Sequence, residues 1–191
     1  MTTIPQAVPE VALSVLHFWF LELMPENWFS SSDKVDRLIA ERFGDLLERA
    51  ERGELDHWTE TPRGLLALVI VLDQFSRNIH RGSGKAFAQD AKAQQLTLQA
   101  IETEMDERLG MDERQFLYMP LMHAEDREQQ ALAITKYETL AESAAYVIGF
   151  AHKHRDIVER FGRFPYRNPI LGRDSTPEEQ AFIDMAGNPF S

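Results

Sequence analysis

The sequence predicts an all-α protein, and three observations support this prediction. Apolar residues recur with a period near 3.6 over most of the chain. Helix-capping residues precede these segments and glycines follow several of them. No two strand-like runs are joined by a turn signal. The connections are short, so we expect successive helices to pack antiparallel in a single domain covering residues 1–191.

The first three helices follow from caps and periodicity. The apolar stripe predicts a first helix over 9–23, and a second begins at Ser32 or Asp33 and ends at Gly53. Thr61 followed by Pro62 is typical of a helix N-terminus. The apolar run that follows, 65–72, indicates that this third helix is buried nearly all round.

The later helices are predicted in the same way. Their expected ranges are 88–109, 112–119, 126–140, 142–161 and a short last helix after the Thr176–Pro177 cap. Pro120 is expected to break or kink the chain. The connection over 162–175 is unusually long, and such loops are often functional or packed on themselves. We therefore expect an ordered loop.

Composition excludes several classes of protein. A net charge of -11 argues against nucleic-acid binding, and the absence of cysteine excludes disulfides and thiolate metal sites. The longest apolar run, LLALVIVL, has eight residues, whereas a membrane span needs about 20. The N-terminus lacks the positive region of a signal peptide. We expect a soluble cytoplasmic protein without cofactor, and the oligomeric state stays open.

Positive charge is concentrated near the C-terminus. The stretch 152–173 holds six Lys or Arg residues and two Asp or Glu residues. Guanidinium groups bind carboxylate or phosphate through two parallel hydrogen bonds. An anion site is therefore predicted here from Arg160, Arg163, Arg167, Asn168 and Arg173.

A second group of polar residues lies on the third helix. Asp73 follows eight apolar residues, so its carboxylate requires a partner, and Arg77 one turn later is the local candidate. A loop arginine is the long-range candidate. Either the ion pair is structural, or Arg77, Asn78 and Arg81 belong to an anion site.

His123 is the candidate for acid–base chemistry. It lies at a helix junction beside Glu125, although a histidine in such a place is often structural. No metal site is predicted, because His152 and His154 are two residues apart on a helix and do not share a face.

Several segments match a known pattern in order along nearly the whole chain. They are HFWF (17–20), LDQFSRN (72–78), RG (81–82), AFAQDAKA (86–93), FLYMPLMHAED (116–126), HRDIVERFGRFPYRNPILGR (154–173) and STPEE (175–179). Together they resemble an uncharacterised bacterial family, the domain of unknown function numbered 924. The resemblance implies a tetratricopeptide-like antiparallel superhelix and no particular activity. The family usually has proline at Ser76, serine at Ala124 and histidine at Tyr166.

Three functions are compatible with these residues. In the first, a groove lined by the arginines and asparagines captures a small anionic ligand or an acidic peptide. In the second, a small enzyme acts on a phosphorylated or carboxylated metabolite, and His123 transfers protons together with Glu125 or Asp73. In the third, the arginines only form structural ion pairs. The first is the preferred prediction.

Overall fold

The computed structural model describes residues 7–28 and 32–186, apart from the side chains at 147, 150 and 151. Within these residues the protein is all-α and contains no strand. Its α-helices are α1 (Glu10–His17), α2 (Asp33–Glu51), α3 (Pro62–Val69), α4 (Ser76–Ile79), α5 (Asp90–Glu102), α6 (Met111–Met122), α7 (Arg127–Phe161) and α8 (Pro177–Ala186). None of the helices in the described part combines the length and the apolar character that a membrane span requires.

The chain divides into two compact units. Unit 1 is Met1–Leu140 and unit 2 is Ala141–Ser191, so the boundary falls inside the sequence of α7. The prediction of a single domain over 1–191 stays a prediction.

The predicted helix caps are confirmed in unit 1. The Ser32 hydroxyl accepts a hydrogen bond from the Val35 amide at 3.4 Å and so caps α2. The Thr61 hydroxyl accepts from the Gly64 amide at 3.1 Å, and Pro62 occupies the first turn of α3, where its missing N–H costs no hydrogen bond.

Two helices of unit 1 widen into π-helical turns. The first predicted helix continues from α1 through the π-helical segment Phe18–Glu22. The third runs from α3 through the π-helical segment Ile70–Phe75 into α4. Such widened turns occur mostly as single insertions and frequently at functional sites.

An aromatic cluster forms much of the core of unit 1. The Phe43 and Phe75 rings stack with centroids 4.8 Å apart, and Phe18 lies 5.1 Å from Phe43. The Trp19 ring meets Phe116 edge to face at 5.3 Å. Aromatic residues of the N-terminal HFWF segment are thus core residues, and they contact α2, the segment Ile70–Phe75 and α6.

The helical segment over 126–161 differs from the prediction. Two helices, 126–140 and 142–161, were expected, but α7 is continuous over Arg127–Phe161. The stretch between Tyr137 and Tyr146 contains no glycine or proline, so nothing in it ends a helix. Pro120 likewise does not end α6, whose residues around the proline are buried.

A buried ion pair fixes the first part of α7 within unit 1. The Lys136 ammonium donates to Oδ2 of Asp106 at 2.8 Å, and the Tyr118 hydroxyl donates to the same oxygen at 2.6 Å. Asp106 is buried. Burial of Tyr118, together with its hydrogen bond to Asp106, raises the pKa of the tyrosine well above its usual value. Tyr118 therefore stays a hydrogen-bond donor.

Unit 2 consists of the second part of α7, the loop 162–175 with a short turn at Pro165–Arg167, and α8. The predicted capping box at the start of α8 is confirmed. The Thr176 amide donates to Glu179 at 2.8 Å, and the Glu179 amide donates back to the Thr176 hydroxyl at 3.2 Å. The rings of Phe161 and Phe182 pack 5.1 Å apart.

Candidate functional site

Asp73 lies in the π-helical segment Ile70–Phe75, and its side chain is 1% exposed. A carboxylate in such a place is destabilising unless other groups compensate its charge. Nη1 of Arg77 lies 3.0 Å from Oδ1 of Asp73, which confirms the local partner predicted one turn later. Gln74 donates to the other carboxylate oxygen.

Asp73 also contacts the side chain of His123. Nδ1 of His123 lies 2.8 Å from Oδ1 of Asp73, across fifty positions of sequence. Because a carboxylate only accepts hydrogen bonds, the Nδ1–H donates, and in the neutral form of the ring Nε2 carries the lone pair. Of the two carboxylates considered in the sequence, Asp73 and Glu125, the structure brings Asp73 to the histidine.

The backbone around His123 is held in place. His123 caps the C-terminus of α6, and its amide donates to the Met119 carbonyl. The Gln130 carboxamide donates to the carbonyls of Met122 and Ala124, both at 2.8 Å. The His123 side chain is 25% exposed, so part of the ring is accessible to a ligand while Asp73 holds the ring in its orientation.

His123 opens into a cavity of about 770 Å³, here called the His123 pocket. Its lining residues are Arg77, Phe87, Ala88, Asp90, Ala91, Gln94, His123, Glu125 and Asp126. A cavity of this size holds a small molecule. All of these residues belong to unit 1.

Arg77 spans two carboxylates on the wall of the pocket. Besides Asp73, it binds Asp90 at the start of α5 through two parallel hydrogen bonds of 2.7 and 2.9 Å. Its guanidinium also lies 5.4 Å from the centre of the Phe87 ring. The arginine thus fixes the position of Asp73 and joins α4 to α5.

Two further carboxylates lie on the rim. Glu125 is exposed and has no hydrogen bond or ion pair with the residues that the structure describes. Asp126 accepts from the Gln129 amide at 2.9 Å and so caps the N-terminus of α7.

Tyr137 is a second ionisable group near Asp73. Burial, with a smaller contribution from the negative charge of Asp73, raises the pKa of Tyr137 to about 12. Its hydroxyl donates to the Gln115 carbonyl at 2.9 Å. Tyr137 therefore stays protonated and cannot serve as a base near neutral pH.

Asn78 and Arg81 do not line the pocket. Asn78 donates to Asp36 of α2 at 2.7 Å, and Arg81 binds the same carboxylate through Nε and Nη2. The Arg81 contact, supported by Asn78, lowers the pKa of Asp36. These two predicted site residues join α4 to α2.

The other predicted residues lie in unit 2, where two arginines bind glutamates of α8. Arg160 donates to Glu178 through two nitrogens at 3.0 and 2.8 Å. Arg163 donates to both oxygens of Glu179 at 2.6 and 2.7 Å. The Arg163 contact, with the Thr176 amide, lowers the pKa of Glu179 to about 2. Asn168 is fully buried and donates to Ser175 at 3.0 Å.

Arg167 and Arg173 are placed differently. The Arg167 guanidinium lies 4.6 Å from the centre of the Phe164 ring and forms no ion pair within the described residues. Arg173 donates to the Phe164 carbonyl at 3.2 Å. The ten predicted site residues therefore fall into three groups: the His123 pocket, the Asp36 contact, and unit 2, where Arg160 lies in α7 and the others lie in the loop.

Unit 1 has a second cavity, of about 680 Å³, whose lining is largely apolar. Leu13, Leu16, Phe20, Leu21 and Met111 form much of its lining. Its charged residues include the exposed pair of Arg63 and Glu113. Elsewhere in the described residues, no three His, Asp or Glu side chains are arranged to hold a metal ion.

Six pocket residues were not predicted as site residues, namely Phe87, Ala88, Asp90, Ala91, Gln94 and Asp126. Asp126 directly follows Glu125, so proximity in sequence was the available signal. Asp90 and Gln94 reach the pocket because α5 packs against the segment Ile70–Phe75, and Phe87 lies in the short turn Gly84–Phe87 before α5. No spacing rule connects these residues to His123.

The chain is similar to proteins for which no activity is known. A family model described as a bacterial protein of unknown function, DUF924, matches residues 15–187. The solved structure of ATU0120, a protein of unknown function from Agrobacterium tumefaciens, is 39% identical in sequence. That match covers 92% of this chain and 97% of the other, with a TM-score of 0.66. A comparison with curated proteins found no match.

Proposed function

Because the chain belongs to the DUF924 family of bacterial proteins of unknown function, we propose a function from the geometry of the His123 pocket. The protein is a small enzyme in which His123 is the general acid–base and Asp73 positions it. The ligand is a small molecule bound in the cavity of about 770 Å³.

One observation carries this proposal, the 2.8 Å contact between Oδ1 of Asp73 and Nδ1 of His123 at the wall of the pocket. A buried carboxylate that accepts from Nδ1–H fixes both the tautomer and the orientation of the ring. It also stabilises the imidazolium that forms when Nε2 takes up a proton. Arg77, held by Asp90, keeps Asp73 in place.

The lining of the pocket favours two reaction types. No serine, threonine or cysteine is among the residues that line the described pocket, so a hydroxyl or thiol nucleophile beside His123 is not supported. His123 then either activates a water molecule for hydrolysis or abstracts a proton from the bound molecule. Both routes begin with proton transfer to Nε2.

A second candidate function is supported by Arg167. Its exposed guanidinium is stacked on Phe164 and forms no ion pair within the described part of unit 2. Capture of an anionic ligand or acidic peptide by this loop thus stays a prediction, as does the tetratricopeptide-like superhelix. Arg167→Gln would remove the binding of an acidic peptide, measured by fluorescence anisotropy, if this candidate were correct.

The proposed enzyme is tested by isotope incorporation. The full chain is incubated with a panel of small metabolites in D₂O and, separately, in H₂¹⁸O, and the products are analysed by mass spectrometry. Deuterium at a carbon atom reports proton abstraction, and ¹⁸O reports hydrolysis. We expect His123→Gln to lower turnover by at least about 10²-fold, since general acid–base catalysis contributes that much.

Two further variants complete the test. Asp73→Asn should also lower turnover, because a carboxamide does not hold the Nδ1–H tautomer. His57→Gln replaces an exposed histidine of unit 1 that lies outside the pocket lining, so its turnover should be unchanged. Turnover that survives in His123→Gln would contradict the proposal.

A further inference from the structure

We infer that the His123 pocket accepts a small cationic amine with a short aliphatic body. This inference rests on the proposed function, because the cavity and the Asp73–His123 contact define the site. The charges of the surrounding side chains then decide which ligand the site accepts. Sequence patterns instead predicted an anion.

Arg77 is the only arginine or lysine in the lining of the described pocket. Its Nη1 contacts Asp73 at 3.0 Å, and both terminal nitrogens bind Asp90 at 2.7 and 2.9 Å. Nη1 also donates to the Asp73 carbonyl at 3.2 Å. Both terminal nitrogens, which would form two parallel hydrogen bonds to an anionic ligand, therefore already bind oxygens of the protein itself.

Carboxylates outnumber arginine and lysine side chains in and around the pocket. Asp73 and Asp90 together carry two negative charges against the single positive charge of Arg77. Glu125 and Asp126 add two more carboxylates at the rim. A concave surface with an excess of one charge attracts counter-ions and repels ions of its own sign. The pocket thus favours a cation over a carboxylate or a phosphate.

Glu125 is the group that binds the ligand directly in this proposal. Glu125 is the carboxylate without a partner in the described residues, whereas Asp126 caps α7. An ammonium group that donates to Glu125 would form a charge-assisted hydrogen bond. Phe87, which is 61% exposed, lies with Ala88 and Ala91 on the apolar part of the wall. This apolar part suits a short methylene chain.

The experiment compares three probes with the same four-carbon skeleton. Isothermal titration calorimetry on the full chain at low ionic strength measures 1,4-diaminobutane, 1,4-butanediol and succinate. We expect the diamine to bind with one-to-one stoichiometry, and the neutral diol at least about tenfold more weakly, since a hydrogen bond between two charged groups is stronger than one that involves a neutral hydroxyl. Succinate should not bind in the pocket. Raising the salt concentration should weaken the binding of the diamine, because salt screens the attraction between charges.

A matched pair of variants locates the binding. Glu125→Gln should weaken the diamine about tenfold, because it removes the carboxylate that has no other partner. Glu138→Gln changes the net charge equally, at an exposed position of α7 outside the pocket lining, and should bind the diamine as the wild type does. Equal loss in both variants, or in neither, would overturn the inference.

The remaining outcomes are also decisive. A diol or succinate that binds as tightly as the diamine overturns the cationic ligand, as does a wild-type chain that binds none of the three. Loss of turnover in His123→Gln tests the enzyme, and diamine binding tests the ligand class, so the two can fail separately.

Discussion

At the scale of single residues, Glu179 accepts more hydrogen bonds than any other carboxylate in the described part of unit 2. It accepts from Arg163 at both oxygens, from the Thr176 amide at 2.8 Å and from Asn168 at 3.4 Å. These donors favour the ionised form, and they lower the pKa of Glu179 to about 2 from an ordinary value of 4.5.

This shift predicts a pH dependence of stability. A carboxylate whose pKa is lower in the folded state stabilises the fold above its unfolded pKa, and the stabilisation is lost as the pH falls towards the folded pKa. We expect the free energy of unfolding of wild-type unit 2 to fall between about pH 4.5 and about pH 2. Arg163→Ala should be less stable at neutral pH, and its difference from the wild type should narrow in acid.

Circular dichroism melts between pH 2 and pH 7 measure this effect. Arg155→Ala is the control, because the Arg155–Asp156 pair is more than half exposed and such pairs contribute little. An Arg163→Ala protein with the stability of the wild type at neutral pH would contradict the role of Glu179.

Sequence reasoning at this scale succeeded where the partner lies one turn away. A carboxylate after eight apolar residues requires a partner, and Arg77 at the i+4 position is that partner. His123 lies fifty positions from Asp73, and Arg163 lies sixteen from Glu179. Such contacts depend on how helices and loops pack, which no periodicity encodes. For that reason the sequence did not indicate that Arg160 and Arg163 bind glutamates of α8.

At the scale of elements, α3 begins under a tight steric constraint. A Cβ atom at Gly64 would lie 2.3 Å from the Trp58 carbonyl and 2.7 Å from the Thr61 hydroxyl that caps the helix. Gly44 lies in the middle of α2, and apart from its chain neighbours and the surrounding helix backbone no atom lies within 4 Å of the corresponding Cβ position.

The two glycines therefore predict opposite effects of alanine. Gly44→Ala should stabilise unit 1 by about 0.5–1 kcal/mol, since glycine in a helix interior is that much less favourable than alanine. Gly64→Ala should destabilise it by about 1–3 kcal/mol or more, because the backbone of the turn must move. Urea unfolding followed by circular dichroism checks both, and equal effects of the two substitutions would contradict this explanation.

The elements themselves were largely predictable. Local capping chemistry located the starts of α2, α3 and α8, because each cap is a contact within three or four residues. The π-helical segments were not predicted, since a widened turn has the same apolar composition as an α-helix. The break near residue 141 was wrong, because no helix-ending residue stands there.

At the scale of the whole molecule, the chain comprises two compact units of different size, 1–140 and 141–191. Unit 1 contains the aromatic core, whereas a unit as short as the second buries little apolar surface. We therefore expect amide hydrogen exchange to be faster over 177–186 than over 62–79.

The variants described above make this expectation specific. Arg163→Ala should accelerate exchange over 162–186 and leave 62–79 unchanged, and Gly64→Ala should do the reverse. Exchange measured by mass spectrometry on the full chain distinguishes the cases. If both segments respond together to either variant, the chain unfolds as one cooperative domain, as the sequence alone suggested.

The π-helical segment Ile70–Phe75 also determines how the chain tolerates insertions and deletions. Each residue of an α-helix turns the chain by about 100°. A π-helical turn holds about one residue more than an α-helical turn, so removing one residue from this segment would restore α-helical winding and leave the phase of the following residues nearly unchanged. Asn78 and Arg81 would still face Asp36, and Arg77 would still face Asp90. An insertion or deletion in α3 or α4 has no such turn to absorb it, and it would rotate the polar groups around His123 by about 100° relative to the buried core.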